Sequence, residues 1–150
     1  MTQTQGATVL FIEDSDEDAD LALRSFRKHG LKQGVKWIDD GQEALDYLLG
    51  EGKYASSPPP LPKVILLDLK LPKVGGLEIL ERIKADARRK HVPVIVLTSS
   101  NQTVDVERAY QSGANSYIVK PVDYTKFSDV IGQLGIYWLG VNVANDTSNL

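Results

Sequence analysis

The chain has no cysteine among its 150 residues. That excludes a disulfide framework, a thiolate zinc site, an iron–sulfur cluster and a cysteine nucleophile. No apolar run approaches the roughly 20 residues a bilayer-crossing helix needs. Met1 to Ala7 lack the basic start and apolar stretch of a secretory signal, so the expected location is the cytoplasm. Positive charge is not in excess either. Lys and Arg number 17 against 20 Asp and Glu, a net charge of −3 with a pI of about 5.4. A nucleic-acid-binding domain is usually basic, and nothing beyond residue 135 reads as a helix-turn-helix, so direct contact with nucleic acid is not expected. There is no P-loop, and Gly75-Gly76 lacks the spacing of a dinucleotide fingerprint. What remains, 42% hydrophobic and 25% charged residues, is the composition of one ordinary globular domain. Its core is expected at about 7–135, followed by an apolar arm at 135–141 and a polar tail at 142–150.

Hydrophobic patterning divides the core into alternating strands and helices. Ala7 to Ile12, Val64 to Leu67 and Pro93 to Leu97 are short, nearly unbroken apolar runs, as in strands buried on both faces. Val35 to Asp39 and Ser116 to Val119 read as two further strands. Between them lie helical patterns: Ala19, Leu23 and Phe26 on one face, capped by Ser15 or Asp16 and ended by Lys28-His-Gly30; Gly41 to Leu49; Leu77, Leu80 and Ile83; Val104 to Gly113. Phe127, Val130, Ile131 and Leu134 open a fifth helix. Gly50 to Pro62 holds Ser-Ser-Pro-Pro-Pro and reads as an irregular loop. Five βα units in succession imply an α/β fold, a parallel sheet with helices on both faces. In such a fold the ligand site lies beyond the carboxyl ends of the strands.

That rule selects specific residues. Glu13 and Asp14 follow strand 1, Asp68 follows strand 3, Thr98 ends strand 4 and Lys120 follows strand 5. Each alone has an ordinary reading, as a helix N-terminus, a strand cap or a turn. Together they place three carboxylates, a hydroxyl and an ammonium on one edge of the sheet. Ionised carboxylates this close call for a cation, and all-oxygen ligands select a hard ion such as Mg²⁺. A lysine and a hydroxyl beside that ion suit the equatorial oxygens of a phosphoryl group. The set therefore points to phosphoryl transfer with an aspartate as acceptor. His29 and His91 are isolated at expected helix ends and read as surface residues.

At this level of detail the chain resembles the receiver domains of two-component response regulators. The resemblance rests on Val9-Leu-Phe-Ile-Glu-Asp14, Val64-Ile-Leu-Leu-Asp-Leu-Lys-Leu-Pro72, Gly75-Gly76, Pro93-Val-Ile-Val-Leu-Thr98, Gly113-Ala114 and Tyr117-Ile-Val-Lys-Pro121. It implies a flavodoxin-like (βα)5 sheet in the order 2-1-3-4-5. It also implies that Asp68 accepts a phosphoryl group from a histidine of a partner kinase. Asp14 and Asp68, with the backbone carbonyl of Lys70, would bind Mg²⁺, and Glu13 would act through water. Lys120 would pair with the phosphate, Thr98 would hydrogen-bond it, and Tyr117 would be the aromatic that moves with Thr98. Pro121 is expected after a cis bond. Lys70 and Ser100 flank the site as modulators of phosphoryl loss. The expectation is a single-domain regulator that loses its phosphoryl group slowly rather than a turnover enzyme. The alternatives are a small aspartyl phosphatase and a constitutive dimeric scaffold with vestigial phosphorylation.

The last helix continues its apolar pattern past the core. Ile136, Tyr137, Trp138 and Leu139 cover most of its circumference, more than one sheet face can bury. Either the arm folds back on its own domain or it meets a second copy, and a homodimer is the expected outcome. Gly132, Gly135 and Gly140 weaken the helix there. The tail Gly135-Ile-Tyr-Trp-Leu139 and the Pro-rich loop are similar to the regulators of bacterial phytochrome kinases, which implies a phytochrome-type photoreceptor as partner.

Overall fold

A computed structural model describes residues 7–30 and 34–143. Five strands, β1 Val9–Ile12, β2 Val35–Ile38, β3 Val64–Leu67, β4 Val94–Thr98 and β5 Ser116–Val119, form one parallel sheet in the order β2-β1-β3-β4-β5. The helices are α1 Asp16–Lys28, α2 Gly41–Leu49, α3 Gly76–Lys84, α4 Thr103–Gln111 and α5 Tyr124–Ile136. The flavodoxin-like architecture expected from the sequence is therefore present.

The strands are apolar throughout because alternate residues feed two cores. Leu10, Ile12, Ile65, Leu67, Val94 and Val96 face α2 and α3, where Leu45, Leu48, Ile79, Leu80 and Ile83 close the layer. Val9, Phe11, Val64, Leu66, Ile95 and Leu97 face α1 and α5, where Phe26, Phe127 and Ile131 meet them. A side chain such as Phe11, with no exposed surface, contributes on the order of 2–3 kcal/mol by burial.

Helix ends follow the expected chemistry, with adjustments. Ser15, not Asp16, caps α1, accepting from the Asp18 N–H at 3.2 Å. The buried face of α1 is Ala19, Ala22, Ser25 and Phe26, while Leu23 is only half-buried. Small residues are needed there because α1 packs closely on α5: the Ser25 hydroxyl donates to the Ser128 carbonyl at 2.6 Å, and a side chain at Gly132 would strike the His29 ring. The Pro-rich loop is not wholly irregular, since Gly52–Tyr54 forms a 3-10 turn. Tyr54 stacks edge-on against Tyr47 and donates its hydroxyl to Glu43 at 3.0 Å.

Asp40 caps α2, its carboxylate accepting the Glu43 N–H at 2.7 Å. That bond, with Lys73 beside it, holds the carboxyl below its usual range. Because the folded pKa is depressed, the stabilisation is present at neutral pH and is lost as pH falls through the folded value. Asp40→Ala is expected to cost about 1 kcal/mol at pH 7 and progressively less below pH ~4. Urea unfolding of both proteins at the two pH values measures it, and an equal cost at both would contradict the cap.

The apolar arm divides. Past α5 the chain widens into a π turn, Tyr137–Val141, closed by the Asn142 N–H donating to the Tyr137 carbonyl. Trp138 and Leu139 are half-buried against the α1–α5 core, and Trp138 lines a small hollow with Val9 and Val64 at the amino ends of their strands. Ile136 and Tyr137 face outward, 59% and 49% exposed. Of the expected polar tail, residues 144–150 lie outside the described residues.

Candidate phosphoryl-acceptor site

The sheet's register brings the acids together. Ile12 lies opposite Leu67, so Glu13 and Asp68 leave neighbouring strands at the same level. The Asp68 N–H donates to the Ile12 carbonyl and the Glu13 N–H to the Ile38 carbonyl, each at 3.0 Å. Thr98 pairs with Val119, and the Lys120 N–H donates to the Thr98 carbonyl at 2.7 Å. The lysine thus enters from β5, over the ends of β1 and β3. Gly76 starts α3 against the Asp68 backbone, and a Cβ there would collide with the Asp68 carbonyl oxygen. Only a residue without a side chain allows that approach.

Lys120 Nζ is the hub. It lies 2.6 Å from Glu13 Oε1, 2.9 Å from Asp18 Oδ2 and 3.0 Å from Asp68 Oδ2. Glu13 is fully buried and Asp68 nearly so. Burial pushes the Glu13 carboxyl up to about 8, the Asp68 charge adding to the rise and Lys120 opposing it. Burial would lower the Lys120 ammonium, but its bonds to Glu13 and Asp18 and the charge of Asp68 outweigh that and raise it above its ordinary value. The lysine is therefore fully charged at neutral pH.

Glu13, Asp14 and Asp68 each bring a carboxylate oxygen within 4.8 Å of the others. Three oxygen donors, with Asp14 open to solvent, fit a hydrated divalent cation. Lys70 is exposed, and its N–H donates to Asp68 Oδ1 at 3.2 Å, which brings its backbone to the site. Thr98 Oγ1 is buried and makes no hydrogen bond within the described protein. An unpaired buried hydroxyl costs about 1–3 kcal/mol, so an incoming oxygen acceptor would be favoured there. Beside Lys120 a hollow of about 180 Å³ opens between Asp18, Leu21, Tyr124 and Phe127.

Comparison with known proteins decides the family. Residues 9–131 match the response regulator receiver domain. The chain belongs to that family. This receiver is 42% identical over 135 residues to the probable methanogenesis regulatory protein FilR2 of Methanothrix harundinacea (strain 6Ac), covering 89% of this chain and 84% of that one. Its fold is similar to the phosphorylated cyanobacterial phytochrome response regulator RcpA, with a TM-score of 0.86 and 32% identity over 94% of this chain and all of that one. It is also similar to the Mn²⁺-bound form of the response regulator Rcp1, with a TM-score of 0.85 and 30% identity over 92% and 98% of the two chains. Rcp1 is a protein of Synechocystis sp. (strain ATCC 27184 / PCC 6803 / Kazusa).

Glu13, Asp14, Asp68 and Lys120 converge directly, and Thr98 is tied to them through the backbone of Lys120. Tyr117 stands one step away, its hydroxyl donating to the Ser100 carbonyl at 2.9 Å. Ser100 is two residues past Thr98, so that bond lies close along the chain to the end of β4. The Ser100 hydroxyl is itself committed to Asp105. One expectation fails: no cis peptide bond occurs among the described residues, so Lys120–Pro121 is trans. Trans is the lower-energy isomer, and the lysine reaches its three carboxylates with it. Two residues were not singled out from the sequence. Asp18 lies in the first turn of α1 and pairs with Lys120, a signal contained in the acidic run Glu13–Asp18 but weak without the fold. Trp37 lies in β2, and its indole N–H donates to the Glu13 carbonyl at 2.7 Å. Trp138 of the apolar arm lies toward the opposite, amino-terminal end of the sheet, where it lines a small hollow with Val9 and Val64.

Proposed function

We propose that this receiver accepts a phosphoryl group on Asp68 from a phosphohistidine of a partner kinase, with Mg²⁺ held by Asp14, Asp68 and the Lys70 carbonyl, and Glu13 acting through water. A carboxylate oxygen of Asp68 attacks phosphorus, the phosphorus–nitrogen bond breaks, and the imidazole keeps the electron pair and takes a proton from solvent. The observation that carries this reading is Lys120 Nζ bridging Asp68 and Glu13 at 3.0 and 2.6 Å, beside a cluster of three carboxylates. The metal supplies charge neutralisation; the lysine and the free Thr98 hydroxyl supply donors to the added oxygens.

Phosphorylation adds close to one further negative charge and new acceptors at Asp68. Drawing Thr98 and Lys120 toward them pulls the Ser100–Tyr117 bond, which shifts the α4–β5 surface between two states. The receiver would signal in the cytoplasm through altered protein contacts and lose its phosphoryl group slowly, without turnover of a substrate. A phosphatase reading is disfavoured because an exposed lysine, Lys70, stands two residues after Asp68, where a general acid would be needed. The similarity to RcpA, the Pro-rich loop and the aromatic arm support a phytochrome-type photoreceptor as the kinase. FilR2 is a probable methanogenesis regulatory protein, so phosphotransfer from a phytochrome kinase, compared with one of another input class, separates the two.

Outward-facing Ile136 and Tyr137, in a stretch from Leu134 to Val143 without a charged residue, support a homodimer through the arm. Ile136→Asp is expected to shift sedimentation to the monomer; an unchanged dimer would refute the arm. Beryllofluoride with Mg²⁺ tests the switch as a whole. The expected result is saturable binding and a change in sedimentation or in Tyr117 environment. No binding and no change would favour the constitutive scaffold.

A further inference from the structure

Of the three clustered acids, Asp14 has the least to hold its side chain. Glu13 is gripped by Lys120 and by the Ser15 N–H at 3.1 Å. Asp68 is gripped by Lys120 and the Lys70 N–H. The Asp14 carboxylate is exposed and enters no salt bridge among the described residues. Where it points therefore depends on the two peptide planes that flank it. The plane after it is fixed when the Ser15 N–H donates to Glu13 Oε2. The plane before it carries the Glu13 carbonyl, and that oxygen accepts the Trp37 indole N–H at 2.7 Å.

Trp37 is well built to hold that plane. It sits on β2 opposite Phe11, and its ring is half-buried against the α1–α5 core, so the donor cannot swing away. A buried indole N–H needs some acceptor, and packing alone would be satisfied by any carbonyl. The one it takes joins the two neighbouring acids. With the Glu13 N–H already bound to Ile38, β2 fixes Glu13 through both its amide and its carbonyl.

We infer that Trp37 is a positioning residue for the divalent cation: by fixing the Glu13–Asp14 peptide it aims the exposed Asp14 carboxylate at the ion shared with Asp68. The inference rests on the reading above that these acids hold Mg²⁺. The physical gain is preorganisation. A carboxylate whose backbone is already fixed loses less freedom when the ion binds. Outer partners of this kind commonly change metal affinity by ten- to a hundredfold.

Calorimetric titration of Mg²⁺ into the wild type and Trp37→Phe tests it. Phe keeps the apolar ring and removes the N–H. The expected result is about tenfold weaker Mg²⁺ binding in the variant, with labelling by acetyl phosphate recovered at saturating Mg²⁺. A purely structural role would instead lower the melting temperature and leave the affinity of the folded fraction unchanged. Should the variant not fold, the wild type decides through the Trp37 indole N–H resonance, assigned with Trp138→Phe. That resonance is expected to move with the same Mg²⁺ dependence as the calorimetric signal. Unchanged affinity in a folded variant, or an unmoved resonance, overturns the inference alone. A wild type that takes up no Mg²⁺ overturns the site reading and the inference with it.

Discussion

Asp68→Asn is expected to leave the protein folded and to abolish its labelling by acetyl phosphate with Mg²⁺, by on the order of a thousandfold or more. The amide has no anionic oxygen to attack phosphorus, and no other carboxylate in the cluster occupies its position. Glu13 is fully buried and tied to Lys120 and Ser15; Asp14 is exposed and not bound to the lysine. Folding is retained because the amide oxygen still accepts the Lys70 N–H and because a carboxylate is removed from a crowded acidic cluster. Radiolabel incorporation, read with a thermal melt, measures both parts. Label that persists on the folded variant would move the acceptor elsewhere.

Lys120→Met is expected to have the largest effect on stability. The side chain is 8% exposed, and its ammonium pairs with Glu13, Asp18 and Asp68 together. Removing one member of a buried ion pair commonly costs about 3–5 kcal/mol, and Met fills the space of the stem, so about 3 kcal/mol is expected at pH 8 without Mg²⁺. The cost depends on pH with a definite sign. Glu13 in the folded protein is raised to about 8 from an ordinary value of 4.5. A folded pKa above the unfolded one means that the native state binds the extra proton, so the Glu13 contribution is fully present below pH 4.5 and is lost as pH rises through about 8. The variant lacks the lysine that opposes this rise. It is therefore expected to lose more stability than the wild type between pH 7 and 9, where the Glu13 contribution of the wild type levels off, and to regain part of it when Mg²⁺ is added. Urea unfolding at pH 7, 8 and 9, with and without Mg²⁺, reads all three effects. Equal stability of the two proteins at pH 8 would show that Lys120 is not the hub.

What the sequence made legible, and what it hid, follows from how far each signal reaches along the chain. The four strand ends at Glu13, Asp68, Thr98 and Lys120 were readable because each closes an apolar run whose length and bounds are local. Parallel pairing then requires those ends to lie on one edge. The third partner of Lys120 was not readable. Asp18 meets it across 102 residues, and only the angle of α1 brings the two together. Trp37 was hidden for a similar reason, since a tryptophan in a strand signals packing and its N–H partner is chosen by the register of β1 and β2. The arm was half-readable. Its apolar circumference was evident, but which residues turn inward depends on the π turn at Tyr137–Val141, which rotates Trp138 and Leu139 onto the core and leaves Ile136 and Tyr137 outside. The isomer of the Lys120–Pro121 bond carries no signal in the sequence at all.

The most direct test of the account is chemical. The protein is incubated with acetyl phosphate and Mg²⁺, the acyl phosphate is reduced with borohydride, and the modified residue is located by mass spectrometry of peptides. The account expects a single modified position, Asp68, formed only when Mg²⁺ is present. Modification at Asp14, Asp18 or a histidine instead, or equal labelling after chelation of the metal, would contradict it.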